Sequence, residues 1–227
     1  MKIYFVRHGH PDYVKDCLTD LGHKQGEAVA ERLKNEKIDK FYSSSSGRAY
    51  ETALHIAEGR GMEVEKLDFM RELGWGPVGG EPDGEYSPWA LSRKMVSENM
   101  NLNDPGWSED YPFNTSFVSE RALKLGTELD KWLEGLGVVR DGNFYRVINP
   151  KYENVLLASH GGASSAAFSR IFNLPFSLVC GAMLVEFTSV TIVEFEGKGE
   201  ELVSPKLRLF NDAKHIEGVT TENIFGQ

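Results

Sequence analysis

The chain has 227 residues, 41% apolar and 26% charged, enough to bury one good core, so a single domain spanning 1–227 is expected. A net charge of −9 argues against nucleic acid and against an acidic membrane surface as partners. No apolar run approaches the roughly 18 residues of a membrane span and no segment reads as a signal peptide, while Cys17 and Cys180 are too few and too far apart for a disulfide scaffold, so a cytoplasmic location is expected.

In chain order, Ile3-Tyr4-Phe5-Val6 is a short apolar run of the kind that forms a strand buried on both faces, and it leads into Arg7-His8-Gly9. A polar loop over 9–18 reaches Thr19, a candidate N-cap, and Leu21, Ala28, Val29 and Leu33 then share one helical face. A second strand is expected over 38–42. Ser43 to Gly47 follow as a loop, where serines ordinarily act only as caps, and Arg48 opens a helix that turns Ala49, Ala53, Ile56 and Ala57 inward. Residues 64–67 read as an edge strand.

Residues 74–113 differ in kind. They are rich in Gly, Pro and Trp and carry seven acidic residues against two basic ones, a net charge of −5, with a short helix expected near 88–99. A long loop-rich insertion in a compact domain reads as a lid or binding loop. Its aromatics (Trp75, Tyr86, Trp89, Trp107, Tyr111) either stack on a ligand ring or form the insertion's own small core. Residues 116–136 give the strongest helical pattern, and Asp141-Gly142 centres a hairpin over 138–145. Val155 to Ala158 form another buried strand leading into Ser159-His160-Gly161-Gly162. A helix over about 162–172 stops before Pro175, two strands are expected over 182–195, and a last one over 203–210. Alternating strands and helices predict an α/β fold, a three-layer α/β/α sandwich with a mainly parallel central sheet.

If both apolar strands are central and parallel, His8 and His160 emerge together at the carboxyl edge, where such sheets bind ligands. Arg7 beside His8 and glycine after each histidine suit an anion. The run Val6-Arg7-His8-Gly9, then Leu18 to Gly22, then Ser43-Ser44 with Arg48 to Ala53, then Ser159 to Gly162, resembles the histidine phosphatase superfamily, branch 1, the phosphoglycerate mutase-like fold; Phe210-Asn211-Asp212 with His215 adds to the likeness. The resemblance implies a phosphohistidine on His8, with Arg7, Arg48, His160 and Gly161 binding phosphate and His160 also catalytic. It places the general acid in the segment Met70 to Gly76, where Glu72 is the choice and Glu81 the reserve, because Pro77-Val78-Gly79-Gly80 stands where an acidic or aromatic position often follows the glycine. The expected activity is metal-independent hydrolysis of a small-molecule phosphate monoester, with no cofactor and no metal.

Phosphoglycerate mutase-type transfer is the alternative. A mutase must retain an anionic product, and the acidic insertion works against that. A phosphoprotein substrate is a lesser alternative, and so is metal hydrolysis. His8-Gly9-His10-Pro11-Asp12 matches the start of a His-x-His-x-Asp-His metal motif, but Tyr13 replaces its final histidine.

Overall fold

The structure, a computed structural model, describes residues 1–197, 199 and 201–219. The described residues divide into two compact units: Met1–Arg71, Trp132–His160 and those from Val185 to Val219 form the first, Glu72–Lys131 and Gly161–Leu184 the second.

The first unit begins with strand β1 (Lys2–Arg7), a two-residue pair β2 (Pro11–Asp12) and β3 (Cys17–Leu18), helix α1 (Asp20–Leu33), β4 (Lys40–Ser44), α2 (Gly47–Ala57) and the edge strand β5 (Val64–Leu67). In the second unit, α3 (Pro88–Ser97) precedes α4 (Val118–Gly135), whose last turn belongs to the first unit. The first unit continues with the hairpin β6 (Val138–Asp141) and β7 (Phe144–Val147), then β8 (Asn154–Ser159). Helices α5 (Gly161–Phe172) and α6 (Phe176–Ala182) return to the second unit, and β9 (Val190–Glu194), β10 (Leu202–Val203) and β11 (Lys206–Asp212) close the first.

The central sheet has six strands in the order β11-β9-β1-β8-β4-β5. Strands β1, β8, β4 and β5 run parallel; on the other side of β1, β9 runs antiparallel to it, and β11 pairs antiparallel with β9 and so points the same way as β1. This is the expected mainly parallel α/β architecture. Because side chains alternate along a strand, Tyr4 and Val6, Leu156 and Ala158, and Phe41 meet Val29, Leu33, Ala53 and Ile56 of α1 and α2 in one buried cluster. Thr19 caps α1, its side chain accepting the Gly22 N–H.

The second unit packs α3 and α5 on α6. Trp107, Phe113 and Phe176 form its aromatic centre, with ring centroids 5.3–6.0 Å apart, and Trp75 sits edge to face on Trp89 at 5.3 Å. Trp107 is thus a core residue, whereas Tyr111 stays exposed.

Three local expectations need correction. Residues 182–195 hold one strand rather than two. The run before β9 turns at Thr188, whose φ of +52° breaks an extended strand, and the Val185 carbonyl is taken by Arg7. Pro175 does not merely stop a helix; its φ of −55° also caps the start of α6. The loop over 9–18 contains the short β2–β3 pair.

Candidate active site

Strand β1 pairs with β8 in parallel, Arg7 opposite Ser159, and the His8 N–H donates to the Ser159 carbonyl at 2.8 Å. Each histidine directly follows the last residue of its strand, so this register sets the His8 and His160 rings edge to face with centroids 5.1 Å apart. Both rings are buried.

The hydrogen bonds of His8 determine its tautomer. Its Nδ1 lies 2.7 Å from the Gly9 carbonyl, which only accepts, so Nδ1 carries the hydrogen. The lone pair is therefore on Nε2, and the Arg48 Nε–H is directed at it from 3.4 Å. Burial, then the charges of Arg7 and Arg48, hold His8 well below the usual histidine range, so it is neutral at pH 7. Burial first, then the neighbouring His8, Arg48 and Arg7, lowers His160. Its Nε2 is 2.8 Å from Ser44 Oγ, at the end of the neighbouring strand β4. That oxygen already accepts the Ser46 N–H. Among the described residues, His160 Nδ1 has no hydrogen-bond partner, a state that costs about 1–3 kcal/mol when a buried polar group is left so.

The arginines are held in different ways. Arg7 Nη1 donates to the Val185 carbonyl at 2.7 Å and its guanidinium lies 4.2 Å over the Phe187 ring. Buried Arg48 pairs through Nη1 with the Asp16 carboxylate, whose other oxygen accepts the Gly47 N–H at 2.9 Å. Asp16 was not singled out from sequence, since one carboxylate in a polar loop carries no local signal. From sequence, Ser44 has no role in the site beyond its place in a capping run and in the family motif. The Asn211 side chain accepts the Glu186 N–H at 2.7 Å, so the Phe210-Asn211-Asp212 motif anchors the segment that carries Val185 and Phe187. His215 Nε2 lies 3.1 Å from Thr188 Oγ1 on that segment's far side.

His10 is engaged elsewhere. Its backbone N–H donates to Gln25 Oε1 at 2.7 Å, and its ring Nδ1 lies 2.9 Å from Thr19 Oγ1. Among the described residues, no three or more His, Cys, Asp or Glu converge as a metal site.

In the second unit, the Glu72 carboxylate accepts the N–H groups of Gly162 (3.2 Å) and Ala163 (2.9 Å) in the first turn of α5, together with its neighbour Leu73 N–H (3.1 Å). An anionic side chain suits that helix end. Gly162 permits the approach, since a Cβ there would lie 2.6 Å from Glu72 Oε1. Gly162→Ala should therefore displace the carboxylate. Losing charged hydrogen bonds costs about 1.5–3 kcal/mol each, against a helix-propensity gain of about 1 kcal/mol for alanine over glycine. With both the Gly162 and Ala163 bonds lost, a net destabilisation of about 2–5 kcal/mol is expected, read from denaturant midpoints. Glu81 is exposed, on the loop before Asp83.

The lowered histidines also set an acid limit on stability. An unfolded histidine takes up a proton near pH 6.5, whereas folded His8 and His160 do so only well below it. The unfolded state thus binds more protons once pH falls under about 6.5, so the contribution present above that pH is lost on acidification. The slope reaches about 1.4 kcal/mol per pH unit for each group. Urea midpoints should fall steeply between about pH 6.5 and 5, and His160→Asn should flatten the fall; an unchanged slope would contradict the assignment.

The comparisons with known proteins agree with this architecture. Residues 3–113 match the family model described as the histidine phosphatase superfamily (branch 1). "Putative phosphoserine phosphatase 2" of Hydrogenobacter thermophilus is 24% identical over 212 residues, covering 89% of this chain and 93% of the relative. "Probable phosphoglycerate mutase GpmB" of Yersinia pestis is 26% identical over 188 residues, covering 77% and 76%. Among solved structures, Entamoeba histolytica phosphoserine phosphatase, in complex with 3-phosphoglyceric acid, superposes with a TM-score of 0.62 at 20% identity, over 95% of this chain and 98% of that one. By motif, by fold and by the match over residues 3–113, the chain is similar to branch 1 of the histidine phosphatase superfamily.

Proposed function

We propose that the protein is a metal-independent phosphatase that hydrolyses a small-molecule phosphate monoester through a phosphohistidine on His8. One observation carries this reading: a buried, neutral His8 commits Nδ1–H to the Gly9 carbonyl and leaves the Nε2 lone pair beside the Arg48 guanidinium. Phosphate-monoester hydrolysis is among the slowest uncatalysed reactions, and a covalent intermediate divides it into two easier steps. In the first, Nε2 attacks phosphorus and the ester P–O bond breaks, the leaving oxygen taking the proton of Glu72, which enters this step as the carboxylic acid. In the second, water attacks the phosphohistidine, its proton passes to the Glu72 carboxylate, and the P–N electron pair returns to Nε2.

The transferred group keeps its charge on three oxygens throughout, so positioning and electrostatics supply most of the rate. Arg7 and Arg48 are assigned as the clamp, Asp16 presenting Arg48. The buried, unpartnered Nδ1 of His160 supports its assignment as a phosphate donor. Gly161, next in the chain and first in α5, is assigned its backbone N–H.

Mutase-type transfer is the second reading, favoured by the likeness to the Yersinia relative. Against it stands the net charge of −5 on residues 74–113. Like charges about 4 Å apart repel by about 4 kcal/mol at an effective dielectric near 20. The insertion is assigned the choice of substrate, favouring monophosphates with neutral, aromatic or cationic leaving groups.

Turnover of labelled phosphate ester, quenched in alkali where phosphohistidine survives, should place label on the peptide containing His8, and a chelator should leave the rate unchanged. Turnover without that label, or activity abolished by chelator and restored by zinc, would reject the mechanism. Product analysis separates the readings, since phosphatase action on 3-phosphoglycerate gives glycerate and phosphate while a mutase gives 2-phosphoglycerate.

A further inference from the structure

A second pair of facing imidazoles lies on the helices of the first unit. His23 of α1 and His55 of α2 face each other, His23 Nδ1 lying 3.0 Å from His55 Nε2 with the rings edge to face at 5.3 Å. The approach is built into α1. A Cβ at Gly26 would come within 2.5 Å of His55 Cδ2, so the glycine is what lets the His55 ring lie against the α1 backbone. His55 is half-buried and His23 exposed. Both line a cavity of about 430 Å³ whose wall also carries the carboxylates of Glu51 and Glu58. Glu51 stands one helical turn before His55 and uses one oxygen to accept the Leu18 N–H at 2.7 Å.

We infer that His23 Nδ1 and His55 Nε2 form a binding site for a divalent transition-metal ion of the nickel, copper and zinc class. Imidazole nitrogens sit about 2.0–2.1 Å from such an ion, so two of them subtending about 90–110° lie about 2.9–3.4 Å apart. The observed separation of 3.0 Å falls in that span. In the metal-free pair, one ring donates its N–H to the other's lone pair. On binding, the ion takes both lone pairs, and the hydrogen between the rings moves through solvent to the other nitrogen of its own ring. The exposed His23 ring turns to converge on the ion, and water completes the coordination. Glu51 and Glu58 add negative charge to the cavity wall without being ligands. Two nitrogen donors select borderline metals over calcium and magnesium, which require oxygen. The ion ties α1 to α2, and this site is independent of the phosphatase reading.

Calorimetric titration of the chelator-stripped protein with Ni²⁺, which does not oxidise the thiols, tests the site. One equivalent should bind with micromolar affinity, and Ca²⁺ should not. His23→Gln and His55→Gln should each weaken Ni²⁺ binding by about tenfold or more, as loss of a ligand exceeds the loss of its outer-shell support. His10→Gln should bind as the native chain does. Since His23 is exposed, its variant keeps the fold and decides the matter, with metal-free melting curves as the control for His55→Gln. Native-like Ni²⁺ binding by the His23 variant, or no binding by the native chain, would overturn the site.

Discussion

His8→Ala is expected to eliminate turnover, by at least about 10⁴-fold, because nucleophiles of covalent enzymes act as a unit with their clamps and leave little activity when removed. His10→Ala is expected to remain within about tenfold of the native rate. The contrast rests on geometry. His8 presents Nε2 to Arg48 with its other nitrogen bound to Gly9, whereas His10 is engaged with Thr19 and packs edge to face on Phe187. Steady-state rates on one alkyl and one aryl phosphate would check both variants, with thermal unfolding as the control for folding. Equal losses in the two variants would count against His8 as the nucleophile and bring the His-x-His metal reading forward again.

Glu72→Gln is expected to depend on the leaving group. An alkoxide needs a proton in the transition state and a general acid contributes about 10²–10⁴-fold. p-Nitrophenolate leaves without much protonation. The variant should therefore lose most of its activity on alkyl phosphates and far less on p-nitrophenyl phosphate. Gly162→Ala should reproduce the same pattern more weakly, because it displaces the same carboxylate from the Gly162 and Ala163 N–H groups. Rates across phenyl and alkyl phosphates of graded leaving-group pKa would read this as a steeper dependence in the variant. Equal losses on alkyl and nitrophenyl esters would remove Glu72 from the mechanism and turn attention to Glu81. For native enzyme, discrimination against bisphosphates should weaken as salt rises, since exposed charge is screened beyond about 8 Å at physiological ionic strength.

Much of this was readable along the chain because it is local. Apolar runs ending at glycine mark β1 and β8 with a histidine at the carboxyl end of each, as found. Thr19 before an apolar-periodic stretch marks the start of α1. The inward face of α2 follows from spacing alone, with Ala49, Ala53, Ile56 and Ala57 all buried. The motif set around His8, Arg48 and His160 carries the family resemblance on which the proposed phosphate site rests. What only the tertiary structure decided are the pairings between distant segments, which no local pattern encodes. Sheet order made β1 and β8 neighbours and brought the two histidine rings to 5.1 Å. The neighbouring β4 set Ser44 against His160, so a serine that reads as a helix cap is a ring partner instead. The β2–β3 turn carried Asp16 to Arg48, and the Phe210-Asn211-Asp212 segment braced the carbonyl that holds Arg7. The tautomer of His8 likewise depends on the folded backbone, because Gly9 offers its carbonyl to Nδ1 only once that backbone has taken its shape. Residue type and order supply the chemical groups; the register between strands decides which of them meet and in which protonation state.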